Sequence, residues 1–190
     1  MKGSVLFIQG GGVGAYAADR ALVDSLRRAL GAGWDVQYPQ MADEENCPYA
    51  EWKAEIDARL ASMKAPVALV GHSFGGSVLL KYLCERRPPP HIAGLFLVAA
   101  PYWGGDGWRW EEMALPADAA ERLQGDWPLV LHYSRDDEVV PFSHLAMYAA
   151  KLPRAAIREY DGRDHQFGED LSEVAASILD ATPGGAAPER

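Results

Sequence analysis

A serine hydroxyl is a weak nucleophile at its ordinary pKa. It becomes useful when a base sits beside it and fixed N–H groups await the negative charge that its attack creates. One serine of this chain has the setting for that work. Gly71-His72-Ser73-Phe74-Gly75 matches Gly-x-Ser-x-Gly, with an apolar run over 66–70 before it and a helical pattern after it. A strand-to-helix turn at this point is sharp. Glycines two before and two after the serine relieve the crowding, and the hydroxyl is left above the carboxyl end of the strand. The bland alternative is a serine that only caps the helix.

The base has to come from elsewhere in the chain, which contains five histidines. His72 adjoins Ser73, and a tight turn points neighbouring side chains apart. His91 opens a strand, at the wrong end of a sheet. His132 lies inside a strand and His144 early in a helix. His165 follows the last apolar run, in the polar loop Asp161-Gly162-Arg163-Asp164-His165, on the edge that also carries Ser73. It is the expected base. A carboxylate must fix its tautomer and balance the imidazolium. Ser134-Arg135-Asp136-Asp137-Glu138-Val139-Val140-Pro141 follows another strand-like run and offers Asp136, Asp137 and Glu138, of which Asp136 suits a loop-bracing role. Asp164 is too close in sequence to His165 to face its ring. Serine, acid and histidine then occur in the chain order that this architecture uses. For the oxyanion, one donor is the amide of Phe74. The other belongs to Gln9-Gly10-Gly11-Gly12-Val13-Gly14, where Gly11 is preferred and Gly12 is the alternative.

Positioning these groups requires a sheet. Apolar runs recur at 4–9, 34–38, 66–70, 92–99, 128–133 and 156–160, several of them unbroken, as parallel strands covered on both faces should be. Helical stripes lie between them: Leu22, Val23, Leu26, Ala29 and Leu30, then Trp52, Ile56, Leu60 and Met63, one beginning at Ser73, one after Pro141, and one through Leu171, Val174, Ala175, Ile178 and Leu179. The alternation predicts an α/β fold. It should be a doubly wound, mostly parallel six-stranded sheet with helices on both faces and its ligand site at the carboxyl ends of the strands. A single domain is expected over 1–181, with a frayed Gly/Pro/Ala-rich tail at 182–190. Residues 101–126 break the rhythm as an irregular insertion with a short helix near 118–123. Its Trp103, Trp108 and Trp110 either flank an acyl pocket or pack over the sheet edge.

Composition narrows the partners. A formal net charge of −9 repels phosphate backbones and anionic lipid, so neither nucleic acid nor membrane is an expected partner. No apolar stretch approaches the roughly 20 residues that span a bilayer, and the start of the chain lacks a signal-type apolar segment. The cytoplasm is the expected compartment. Cys47 and Cys84 form neither a disulfide framework nor a zinc pattern, and no metal or cofactor is expected. One rival pattern exists. Gly10-x-Gly12-x-x-Ala15 between a strand and a helix fits a dinucleotide-binding turn, but Tyr38-Pro39 stands where an acid should hold the ribose.

The motifs Gln9-Gly10-Gly11-Gly12, Gly71-His72-Ser73-Phe74-Gly75-Gly76, Asp137-Glu138-Val139-Val140-Pro141 and Asp164-His165, in that order, resemble the α/β-hydrolase fold superfamily over nearly the whole chain. The short length is most similar to the small, cap-less serine hydrolases of the retinoblastoma-binding-protein type. The resemblance implies a strand order of 2-1-3-4-5-6. It selects Asp137 over Asp136, because the acid followed by x-x-Val-Pro is the usual form. It also implies a serine hydrolase acting on small-molecule carboxylic esters, or on thioesters or small amides. Two positions depart from the common pattern: Gln9 stands where many relatives carry His, and Arg163-Asp164 stands where Gly often precedes the base. A competing class is a non-enzymatic interaction module on the same scaffold, since fold alone does not settle function.

Overall fold

In the computed structural model, which describes residues 3–63, 66–86, 91–105 and 107–182, the strand side chains alternate between two cores. Leu6 and Ile8, Val67 and Leu69, and Leu95 and Leu97 enter one core. Val5 and Phe7, Ala68 and Val70, and Phe96 and Val98 enter the other. This is why the runs are unbroken in sequence: period-two alternation carries no polar face when both faces are covered. All twelve of these side chains are buried, and each Val, Leu, Ile or Phe among them contributes roughly 1.5–3 kcal/mol of transfer free energy.

The elements run β1 (Gly3–Ile8), α1 (Ala15–Ala18), α2 (Arg20–Leu30), β2 (Trp34–Gln37), α3 (Tyr49–Ser62), β3 (Val67–His72), α4 (Phe74–Glu85), β4 (Ile92–Val98), α5 (Ala119–Arg122), β5 (Leu129–Ser134), α6 (Ser143–Lys151), β6 (Ala156–Tyr160) and α7 (Ser172–Ala181). The sheet order is β2-β1-β3-β4-β5-β6, and all five pairings are parallel. The α3, α4 and α6 stripes cover one face through Trp52, Ile56, Leu79, Leu83 and Tyr148. The α2 and α7 stripes cover the other through Leu22, Leu26, Val174 and Ile178. The insertion contains α5 and a single 3-10 turn, Glu111–Met113, and its Met113 and Leu123 join the first core.

Strand order reverses at β1, which pairs with β2 on one side and β3 on the other, so a crevice opens at their carboxyl ends. Register aligns those ends: Ile8 pairs with Gly71, His72 with Val98, and Ser134 with Tyr160. The loops that leave β1, β3, β5 and β6 therefore emerge along one edge. Residues 87–90, which include Pro88-Pro89-Pro90, and the tail from 183 lie outside the described residues. Among the described residues no helix is long and apolar enough to cross a membrane.

Candidate functional site

Ser73 is the only residue between β3 and α4. Its backbone sits at φ 48°, ψ −125°, a region that costs a non-glycine residue about 1–3 kcal/mol. Neighbours hold it there: its N–H donates to Val98 O at 2.8 Å and its carbonyl accepts from Gly76 N–H at 3.0 Å. The flanking glycines are forced by close approach. A Cβ on Gly71 would lie 2.6 Å from Gly76 Cα, and one on Gly75 would lie 2.3 Å from Gln9 O. Ser73 begins α4 without a side-chain capping bond, so the helix-cap alternative fails. Ser73 instead lines a cavity of about 250 Å³ together with the Gly10–Gly14 loop, His72, Val139 and His165.

His165 lies in the loop after β6. Its Nδ1 is 2.8 Å from Asp137 Oδ2, and the Asp137 side chain is only 1% exposed. The other Asp137 oxygen, Oδ1, accepts the N–H groups of Val139 and Val140, each at 2.8 Å. Burial works to raise the Asp137 pKa. The bonds from His165 and the two amides outweigh it and hold the carboxyl below its usual range. An ionised carboxylate facing Nδ1 requires an N–H there, which leaves Nε2 as the basic nitrogen.

Asp136 does different work. It accepts the hydroxyl of Ser134 and the N–H groups of Gly162 at 2.9 Å, Arg163 at 3.2 Å and Asp164 at 3.3 Å. It thus ties the loop after β5 to the loop that carries His165. The Ser134 hydroxyl, followed by the loop amides, lowers its pKa to about 2, against about 3.9 in an unfolded chain. A carboxyl depressed on folding stabilises the native state above its unfolded pKa and loses that contribution as pH falls through the folded value. Asp136→Asn should therefore melt below the wild type at pH 5–7, with the gap closing between about pH 4 and pH 2. Thermal melts of both proteins across that range check it, and a gap independent of pH would exclude the carboxylate as the brace.

The glycine loop is clamped from two sides by carboxylates. Asp19 Oδ2 accepts Gly10 N–H at 2.8 Å. Glu44 accepts the amides of Gly14 at 2.6 Å and Tyr16 at 2.8 Å and the side chain of Gln9 at 3.0 Å, while its carbonyl takes Gly12 N–H at 2.5 Å. The Tyr16 and Gly14 amides hold the Glu44 carboxyl below its usual range. Gly12, the alternative oxyanion donor, is thus committed elsewhere, and the Gly11 amide is unengaged among the described residues. A methyl on Gly11 would sit 3.2 Å from Phe74 Cβ, so the residues that carry the two preferred donors are neighbours. The dinucleotide pattern fails here for a physical reason. The amides of Gly10, Gly12 and Gly14, which would cradle a pyrophosphate, are occupied, and two carboxylates stand where a dianion would have to sit.

His72 did not stay apart from the site as its adjacency to Ser73 suggested. Its side chain and that of Asp19 are each 1% exposed, with His72 Nδ1 2.9 Å from Asp19 Oδ1. The contact is close but poorly aligned as a hydrogen bond. On the other side of the ring, Nε2 is 3.0 Å from the backbone carbonyl of His165, and the two imidazole centroids are 4.9 Å apart. Burial opposes charge on both groups. Mutual attraction overcomes it, raising the His72 pKa and lowering that of Asp19. Of the other buried histidines, His132 bonds Tyr160 Oη at 2.8 Å, and burial followed by the Arg158 charge pushes its pKa down to about 3. His144 accepts the Tyr102 N–H at 2.9 Å. Both serve the packing.

The three tryptophans of the insertion do not line the cavity at Ser73. Trp103 packs on Trp108 and Trp110, with centroids 5.4 and 5.6 Å apart, and Trp110 stacks on Phe74 at 5.2 Å. They back the residue that follows Ser73. Trp110 also lines a second cavity of about 440 Å³ with Gly104, Arg109, Glu111 and Ala114. Among the described residues no cluster of three or more His, Cys, Asp or Glu side chains is arranged to hold a metal ion.

The same fold occurs in solved structures of low sequence identity. The ydeN gene product of B. subtilis superposes with a TM-score of 0.71 at 18% identity, over 94% of this chain and 98% of that one. The esterase domain of a Rhodothermus marinus protein gives 0.63 at 20% identity, over 93% and 82%. Est1E of Butyrivibrio proteoclasticus, solved with ferulic acid bound, gives 0.66 at 14% identity, over 93% and 86%. No curated protein sequence matches the chain. The model of the serine hydrolase family matches residues 24–165, a span from α2 to His165 that takes in Ser73, Asp137 and both loops that carry the acid and the histidine, and the chain belongs to that family.

Proposed function

We propose that the protein hydrolyses carboxylic esters of small molecules through an acyl-enzyme, with Ser73 as nucleophile, His165 as base and Asp137 as the group that orients it. The observation that carries this reading is the 2.8 Å contact between His165 Nδ1 and a buried Asp137 carboxylate, made by a histidine that shares a cavity with Ser73. His165 Nε2 takes the hydroxyl proton as Ser73 Oγ bonds to the acyl carbon. The carbonyl oxygen becomes an oxyanion facing the Phe74 and Gly11 amides. Collapse expels the alkoxide, which leaves with the proton from His165, and water repeats the sequence to release the acid. The steps need only side chains, backbone amides and water.

The rim of the cavity favours an apolar substrate. Val13 and Val139 are 79% and 54% exposed, unusual for valine, and they line the cavity from the glycine loop and from the acid loop. An ester whose acyl or alcohol part covers these side chains gains transfer free energy of about 0.8 kcal/mol per buried methylene. The esterase domain and the ferulic-acid-bound protein that share the fold are in keeping with an ester substrate. A series of p-nitrophenyl esters of rising acyl length tests the reading. Turnover is expected, and Val139→Asp should cost roughly tenfold in kcat/KM on the longer acyl chains and less on acetate. Absence of turnover across esters and thioesters alike would overturn it.

A further inference from the structure

The buried pair behind the cavity links two parts of the site. Both ring nitrogens of His72 lie against oxygens: Nδ1 is 2.9 Å from Asp19 Oδ1, and Nε2 is 3.0 Å from the His165 carbonyl. A neutral imidazole has one N–H, and an imidazolium facing a carboxylate has one for each side. Their mutual attraction, which raises the His72 pKa and lowers that of Asp19, agrees with the ionised pair. Asp19 Oδ2 in turn holds the Gly10 N–H at 2.8 Å. A single sealed, net-neutral unit therefore joins the backbone of His165 to the backbone of Gly10, next to Gly11. The other polar groups facing it are Gln166 and, at longer range, Asp137.

We propose that Asp19 and His72 are positioning residues that set the spacing between the oxyanion loop and the His165 ring through this pair. The proposal rests on the ester-hydrolase reading above. The spacing matters when the proton moves and the oxyanion forms together, and it matters little for ground-state binding. Loss of the pair should therefore lower kcat and leave KM nearly unchanged.

Two substitutions at one buried site each break the span at one end. In His72→Gln the amide nitrogen falls near the position of Nε2 and keeps a donor toward the His165 carbonyl but not toward Asp19. In His72→Asn it falls near Nδ1 and keeps only the donor toward Asp19. Both should lose about 10- to 100-fold in kcat with KM nearly constant, a split that lost packing alone would not give. Wild-type kcat in either variant, or a loss carried by KM, would overturn the proposal. ¹⁵N NMR of histidine-labelled wild-type protein at pH 7 gives a reading that does not depend on activity or on a variant folding. The expected His72 signature is a ring with two protected N–H protons, assigned by its absence in His72→Gln or, if neither variant folds, by its contact with His165. A neutral ring with one N–H overturns the pair. If the wild type hydrolyses no ester, the ester reading fails while the NMR result still judges the pair.

Discussion

Ser73→Ala should remove ester turnover by a factor on the order of 10⁴–10⁶ in kcat and abolish covalent labelling by a fluorophosphonate, with the melting temperature nearly unchanged. The size follows from the chemistry. Without Oγ no acyl-enzyme can form, and what remains is the binding and oxyanion contribution to attack by water. The retained fold follows from the structure. Ser73 sits at φ 48°, where alanine is no better and little worse than serine, and its hydroxyl caps nothing. Its backbone bonds to Val98 and Gly76 survive the substitution. Peptide mass spectrometry of the labelled wild type should locate the adduct on Ser73. Full labelling of the alanine variant would transfer the nucleophile to another residue. No labelling of the wild type, with the fold intact, would favour the interaction-module alternative.

What could be read in the sequence was what local pattern encodes. Unbroken apolar runs and helical stripes specify β1 to β6 and the main helices, because each element's buried face is set by its own spacing. Ser73, the Gly10–Gly14 loop, the acids Asp136, Asp137 and Glu138, and His165 stand out because each follows a strand, and parallel strands deliver their carboxyl ends to one edge; the choice of Asp137 among the acids came from the family resemblance. Asp19, His72 and Glu44 carried no such signal. Asp19 sits between Ala18 and Arg20 at the start of α2, like any solvated helix-end acid, and its partners are the glycine loop and a histidine on another strand. His72 meets His165 across 93 positions, and Glu44 meets Gln9 across 35. The insertion left two readings open, and the structure carries features of each: its tryptophans stack on Phe74 and on one another behind the site, and Trp110 also lines the second cavity. Gln9, the departure from the usual histidine, is accounted for by its role: its amide donates to Glu44 and its carbonyl oxygen accepts Met41 N–H at 3.0 Å, fixing the start of the glycine loop.

Asp137→Asn should cost on the order of 10³–10⁴ in kcat, and Asp136→Asn far less. The two neighbours have the same charge, and the difference lies in what their oxygens face. Asp137 Oδ1 takes two N–H groups, from Val139 and Val140, so an asparagine here must turn its carbonyl oxygen to them. Its NH₂ then points at His165 Nδ1, where the carboxylate oxygen now lies at 2.8 Å. A donor in that place draws out the tautomer with Nδ1 bare and the proton on Nε2. The nitrogen facing the Ser73 cavity then has no lone pair to accept the hydroxyl proton. The substitution preserves shape and loop contacts while inverting the base, so kcat should collapse with little change in melting temperature. Asp136→Asn keeps an oxygen for the Gly162 and Arg163 amides, which lie 2.9 and 3.2 Å from Oδ1 now, and it touches neither nitrogen of His165. Its effect should be a looser loop and a modest fall in rate. Steady-state kinetics of the two variants on one short-chain ester, with circular dichroism to confirm the fold, decides the order. If Asp136→Asn proves the more damaging, the orienting acid is Asp136 and the 2.8 Å contact with Asp137 is structural.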